Sequence, residues 1–160
     1  MKCRACPHSA DQFLDLGMQP LANRFLTPEM LLQPEPMYPL QEHFCESCHT
    51  VQIGAVVNPK EMFSDYAYAS STSPAFRKHF EDLATHLISW GLKPGDLVCE
   101  IGSNDGVLLR PLVARGIRVI GIEPAANLAK LARAEGLEVR NEFFTAQTVQ
   151  GLGPVKVIVA

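Results

Sequence analysis

The chain has 160 residues, is 47% hydrophobic and carries a formal net charge of −3. That length holds one good-sized domain or two small ones, and the composition is that of an ordinary cytoplasmic globular protein. The mild acidity argues against a nucleic-acid partner, which needs a basic face, and no apolar run approaches the ~20 residues that span a bilayer, so no membrane partner is expected.

The first feature along the chain is Cys3-x-x-Cys6, answered by Cys45-x-x-Cys48. A tight turn holding two thiolates supplies half of a tetrahedral zinc site, so two such turns supply all four ligands. A redox pair would sit between a strand and a helix of a βαβ unit, and neither pair does. No signal-peptide pattern precedes Cys3, so a disulfide framework is not expected. Four sulfurs fill the coordination shell and leave no place for a reactive water, so the expected zinc is structural. His8, His43 and His49 lie near the knuckles and are weaker alternatives as ligands. The fifth cysteine, Cys99, falls in an apolar run and reads as a small buried hydrophobe.

Residues 1–60 are punctuated by Pro20, Pro28, Pro34, Pro36, Pro39 and Pro59, so their strands and helices should be short. They read as a zinc-stapled module too small for a core of its own. Residues 61–93 read as a linker and a helix. Ser73-Pro74 is a start signal, and Phe76, Phe80, Leu83, Leu87 and Trp90 form one apolar stripe. Gly91 and Pro94 end it.

Residues 94–160 alternate strands with helices. The expected strands are Leu97–Ile101, Arg118–Ile122, Leu137–Val139 and Val155–Val159. The expected helices are Gly106–Arg115, with Pro111 kinking it or marking its true start, and Ala125–Glu135. The pattern predicts an α/β fold with a parallel, Rossmann-like sheet. The sequence stops on Val157-Ile158-Val159-Ala160, inside an apolar strand, which suggests a fragment.

Between the first strand and the next helix lies Glu100-Ile101-Gly102-Ser103-Asn104-Asp105-Gly106. Its glycines let backbone approach a ligand closely. The spacing is not G-x-G-x-x-G, no third glycine follows for close helix packing, and no Gly-Lys-Ser/Thr phosphate cradle is present. Glu123 ends the second strand and is followed by Pro124. A carboxylate there can accept from both hydroxyls of a ribose. The loop therefore suits a nucleoside cofactor without a pyrophosphate, such as S-adenosylmethionine, with its methionine end over Gly102, Ser103 and Asn104.

These residues resemble the N-terminal part of sugar C-methyltransferases that act on nucleotide-linked keto-deoxysugars. The matching pieces are Cys3-x-x-Cys6, Leu16-Gly17-x-x-Pro20, Leu21-Ala22-Asn23, Tyr38-Pro39-Leu40, Cys45-x-x-Cys48, Val51-Gln52, Tyr66-x-Tyr68-x-Ser70-Ser71-x-Ser73, His79, Glu100-x-Gly102-x-Asn104-x-Gly106 and Gly121-Ile122-Glu123-Pro124. The resemblance implies a zinc-binding domain, a methyltransferase core and methyl transfer from S-adenosylmethionine to a sugar carbon. It also implies a further C-terminal half that supplies the general base. Tyr68 and His79 are then the candidate catalytic residues at the substrate end. Two other readings stand beside this one. The acceptor atom is an oxygen or nitrogen of another small molecule, or the chain is a non-catalytic zinc-ribbon module joined to a partial Rossmann domain.

Overall fold

The computed structural model describes residues 1–160, which form two compact units, Met1–Met62 and Phe63–Ala160. In the first unit three antiparallel strands run in the order β1-β2-β3: β1 is Asp11–Gln19, β2 Tyr38–Phe44 and β3 Val51–Ile53. Strands this long depart from the expectation of short elements. The reason is where the prolines fall: β1 contains none, and Pro39 of β2 is paired with Met18 beside a register shift. A bulge frees a backbone position that proline cannot use in a regular ladder. Short helix α1 (Pro59–Phe63) follows.

Every residue of β1 is exposed. The buried cluster of this unit consists of Cys3, Ala10 and Cys45, with Cys6 and Cys48 packed against it. The thiols therefore occupy the place of a hydrophobic core.

The second unit is built on a four-stranded parallel sheet in the order β6-β5-β4-β7. Its elements are α2 (Pro74–Ser89), β4 (Leu97–Ile101), α3 (Leu109–Val113), β5 (Arg118–Ile122), α4 (Ala126–Ala134), β6 (Val139–Arg140) and β7 (Val157–Val159). Central strands β4 and β5 are paired from Leu97↔Arg118 to Ile101↔Ile122. Both faces of this pair are covered, which explains the near-continuous apolar runs. Val98 and Val119 face a core that includes Ala84 and Leu87 of α2, Leu112 of α3 and Ala129 of α4. Leu97, Cys99, Ile120 and Ile122 pack on the opposite side against Val149, Leu152 and Val155.

Helix α2 begins as its capping signal requires. Ser73 Oγ accepts from Phe76 N at 3.4 Å, and Pro74 sits in the first turn, where no N–H is needed. Its apolar stripe is buried only in the middle. Leu87 is buried and Phe80 and Leu83 are partly so, but Phe76 is 45% and Trp90 76% exposed. Helix α3 is half the expected length. The chain turns through Gly106 to Leu108, the helix starts at Leu109, and Pro111 falls in its first turn rather than kinking a longer helix.

Candidate metal and cofactor sites

The four knuckle sulfurs all lie within 4.8 Å of one another, with Cys3 to Cys48 and Cys6 to Cys45 each 3.6 Å. Sulfurs about 2.3 Å from a central zinc stand about 3.8 Å apart in a regular tetrahedron. The observed spacing therefore fits that ion. No S–S bond joins any pair. The second knuckle is closed by Cys45 N donating to Thr50 O at 3.0 Å and His49 N to Cys45 O at 2.8 Å. His49 adopts φ +57° to complete the turn.

The surroundings of the four sulfurs favour the thiolate unequally. The Thr50 hydroxyl and backbone N–H lower Cys48 to about 6. Cys6 is held up at about 12: a bond from the His8 backbone lowers it, but desolvation and the neighbouring thiols outweigh that. A divalent cation removes the conflict by favouring the thiolate at all four.

None of the three nearby histidines joins the cluster of four sulfurs. His43 is buried on β2, and the His49 ring lies tilted beside Phe44. A residue not singled out as a support is Gln52 on β3, whose Oε1 accepts from Arg4 N at 3.0 Å. That bond ties the first knuckle to the strand that follows the second.

In the second unit the chain runs from β4 to β5 and β6 on one side, then returns to place β7 on the other side of β4. Order thus reverses at β4, and in such sheets the crevice outside the carboxyl ends of the strands at this point is where ligands bind. The loop Gly102–Gly106 occupies that position. Gly102, Asn104 and Gly106 have φ of +71°, +51° and +83°. A Cβ on Gly102 would meet nothing within 4 Å, so the backbone there faces open space. Gly106 does the opposite. Its Cβ would lie 2.3 Å from Leu137 Cδ1, so this glycine supplies the close packing for which the sequence showed no third glycine.

Glu100, Ser103, Asp105 and Glu123 are all buried at the base of the loop. Glu123 Oε2 accepts from Asn104 N at 2.7 Å and Oε1 from Ala125 N at 2.8 Å. The carboxylate thus shapes the loop and the entry to α4, keeping its remaining lone pairs for a ligand. Glu100 Oε2, Ser103 Oγ and Asp105 Oδ1 have no hydrogen-bond partner, although Arg110 Nη1 lies 3.9 Å from Asp105 Oδ1. Burial, then the carboxylates of Glu123 and Asp105, push Glu100 up to about 8. Unsatisfied buried polar atoms beneath an open glycine backbone fit a polar, positively charged ligand group such as the methionyl end of a sulfonium cofactor. Pro124 is half-buried, and its carbonyl and that of Glu123 each accept from Asn141 Nδ2 at 2.9 Å.

Tyr68 is 39% exposed, and its carbonyl accepts from Asn104 Nδ2 at 3.1 Å, which brings its backbone to the loop. His79 is exposed on α2 with its ring edge-on to Phe80, and no hydrogen bond joins it to the loop. Asp105 and Asn127 are contacts of the loop region that no motif singles out. Both act on backbone groups distant in sequence, and no spacing rule encodes that.

Residues 3–63 match the family described as "Putative zinc binding domain". Over 150 residues, 91% of its length, the chain is 35% identical to the C-methyltransferase NovU of Streptomyces niveus. It spans 35% of that relative's length. The chain is thus related to a C-methyltransferase over part of that enzyme, with an α/β fold preceded by a four-cysteine module. No helix is long and apolar enough to cross a membrane.

Proposed function

We propose that this chain carries the zinc-binding module and the cofactor loop of an S-adenosylmethionine-dependent methyltransferase that alkylates a carbon of a nucleotide-linked keto-deoxysugar. The observation that carries the reading is the loop at the sheet's point of reversal. An open Gly102 backbone lies above buried, unpartnered Glu100 and Ser103, next to the Glu123 carboxylate. The name of the related enzyme supports carbon as the acceptor atom, and the sugar rests on the resemblance in the sequence.

When bound, the cofactor supplies an electrophilic methyl on a sulfonium sulfur. The chain's own residues supply position and charge. Gly102, Ser103 and Asn104 present backbone to the methionyl end, and Gly106 and Pro124 set the turns on either side. Glu123 faces the ribose, held rigid by the two N–H groups it accepts. Glu100 takes the opposite charge of the ammonium or sulfonium, which replaces the proton that burial favours. Tyr68 lies on the segment that reaches the loop, where its hydroxyl would meet a sugar oxygen. The chemistry so supplied would exchange one carbon-bound hydrogen of the acceptor for the methyl, with the proton passing to a base. The resemblance implies that the base for that proton lies in a segment beyond the matched third. Four thiolates at the knuckles hold zinc, which folds the first unit and takes no part in the transfer.

The test is calorimetric titration with S-adenosylhomocysteine. Saturable binding at one site per chain is expected, and absence of binding overturns the cofactor reading. For the acceptor, mass spectrometry of a nucleotide-linked 4-keto sugar treated with the whole enzyme should show one added methyl and one lost carbon-bound hydrogen. Retention of that hydrogen would point to oxygen or nitrogen instead.

A further inference from the structure

Residues 64–73 reach the carboxyl ends of β4 and β5, and side chains hold them there. None of these ten residues is buried. Hydrogen bonds from α4 and the cofactor loop hold their backbone. Ser64 O accepts from Ala126 N at 2.9 Å. Tyr66 N donates to Asn127 Oδ1 at 3.1 Å, and Tyr66 O accepts from Asn127 Nδ2 at 2.8 Å. Asn127 therefore satisfies both polar groups of one residue, as a paired strand would. Further along, Ser70 N donates to Asn104 Oδ1 at 2.9 Å and Ser71 N to Asp105 Oδ2 at 3.2 Å.

Asn104 is the point of connection. Its backbone N–H is held by Glu123, its Oδ1 also accepts from Asp105 N, and its Nδ2 donates to Tyr68 O. A ligand that orders Asn104 and Asp105 must also order the segment they hold, and the reverse coupling has equal size. We infer that Asn127 is a positioning residue that, with Asn104 and Asp105, docks residues 64–73 as a strap whose ordering is coupled to occupation of the cofactor loop. The strap thereby sets the place of Tyr68. This rests on the cofactor reading above.

The test is amide hydrogen exchange on the whole chain, with S-adenosylhomocysteine as the ligand. In Asn127→Ala the strap amides should exchange about tenfold faster without ligand, the scale of losing roughly two ordinary hydrogen bonds that partly re-form with water. Amides of β4 and β5 should not change. Saturating ligand should slow strap exchange in the unaltered chain about tenfold, and Asn127→Ala should bind it roughly three- to tenfold more weakly. A purely structural role would leave ligand affinity and ligand-induced protection alone. Should Asn127→Ala lose protection in β4 and β5, Asn127→Asp decides the matter. It keeps the acceptor for Tyr66 N and loses only the donor, so an intermediate strap rate is expected. Strap exchange equal to the unaltered chain in these variants overturns the docking. Ligand binding without added strap protection overturns the coupling. A chain that binds no ligand overturns the cofactor reading and the coupling together, while the ligand-free comparison still judges the docking by itself.

Discussion

Glu123→Ala separates a shaping role from a ligand role at the same carboxylate. The side chain is 5% exposed and accepts from two backbone N–H groups, Asn104 at 2.7 Å and Ala125 at 2.8 Å. Hydrogen bonds to a charged acceptor contribute about 1.5–3 kcal/mol each, and a buried donor left alone carries its full desolvation cost. The Ala125 bond is buried, so that donor has no substitute partner. The Asn104 bond is only partly buried, so water can replace some of it. A loss of about 3 kcal/mol is therefore expected for the second unit. One effect opposes it. The charge of Glu123 helps to raise Glu100, so its removal relieves repulsion once Glu100 ionises. At about pH 6 Glu100 keeps its proton, and the opposing effect is small. Urea unfolding should be followed at that pH by circular dichroism, with exchange of β4 and β5 amides to identify the unit. Glu123→Gln keeps one acceptor and should lose about half as much. Stability of the alanine variant within about 0.5 kcal/mol of the unaltered chain would refute the reasoning, since surface changes alone have that scale. A fall in S-adenosylhomocysteine affinity without a fall in stability would leave Glu123 a ligand contact alone.

Two further outcomes follow from buried charge and from the thiols. Cys45→Ser should lower zinc content by elemental analysis and expose residues 1–62 to proteolysis, because the thiol cluster fills that unit's core. Full zinc content in this variant would mean the metal sits elsewhere. For Glu100, the folded value of about 8 lies above the ordinary 4.5. The folded state therefore binds the extra proton between those values, so stability is full below about pH 4.5 and falls as pH rises through about 8. The span corresponds to a loss on the order of 4–5 kcal/mol. Glu100→Gln should flatten thermal stability between about pH 5 and 8, and an unchanged slope would show that Glu100 ionises freely in the fold.

Much of the fold was legible because the decisive signals were local. The runs Leu97–Ile101 and Arg118–Ile122 are the observed β4 and β5, residue for residue, since strands covered on both faces are short and continuously apolar. The Ser73-Pro74 cap fixed the start of α2 for the same reason. The misreadings came from features that tertiary contact decides. Periodicity runs the stripe out to Trp90, yet the core takes only the stretch from Phe80 to Ile88, and Phe76 in the first turn and Trp90 just past the helix stay exposed. Of the two expectations for Pro111, the start of the helix is the nearer one: α3 begins at Leu109, three residues after the expected Gly106, whose positive φ belongs to the turn. Cysteine spacing placed the four sulfurs together, but the Gln52 bond to Arg4 crosses 48 positions and leaves no periodic trace. The sequence pattern points Glu123 at a ligand, a role that the Glu123→Ala binding measurement tests. The two N–H groups it accepts show that it also builds the loop.

The loop and the strap above it differ in how they are held, and the difference has a functional direction. Ser103, Asp105, Gly106 and Glu123 are buried, and the loop backbone is tied to β5 by Gly102 N donating to Ile122 O at 2.8 Å. Burial and this pairing lead us to expect that it opens together with the sheet. The strap buries no residue, and Asn104, Asp105 and Asn127 hold it by bonds that water can replace. Local opening there costs far less. A preformed loop with a loosely closed strap lets a ligand enter without disturbing the sheet. Under the coupling proposed above, the strap would close on an occupied loop and Tyr68 would reach its place after the cofactor. Under that order, a variant that stiffened the strap in its docked form would slow ligand entry and exit while raising affinity. Stopped-flow binding of S-adenosylhomocysteine to such a variant, against Asn127→Ala, should show dissociation rates moving in opposite directions. Equal dissociation rates would place the strap outside the path that the ligand takes.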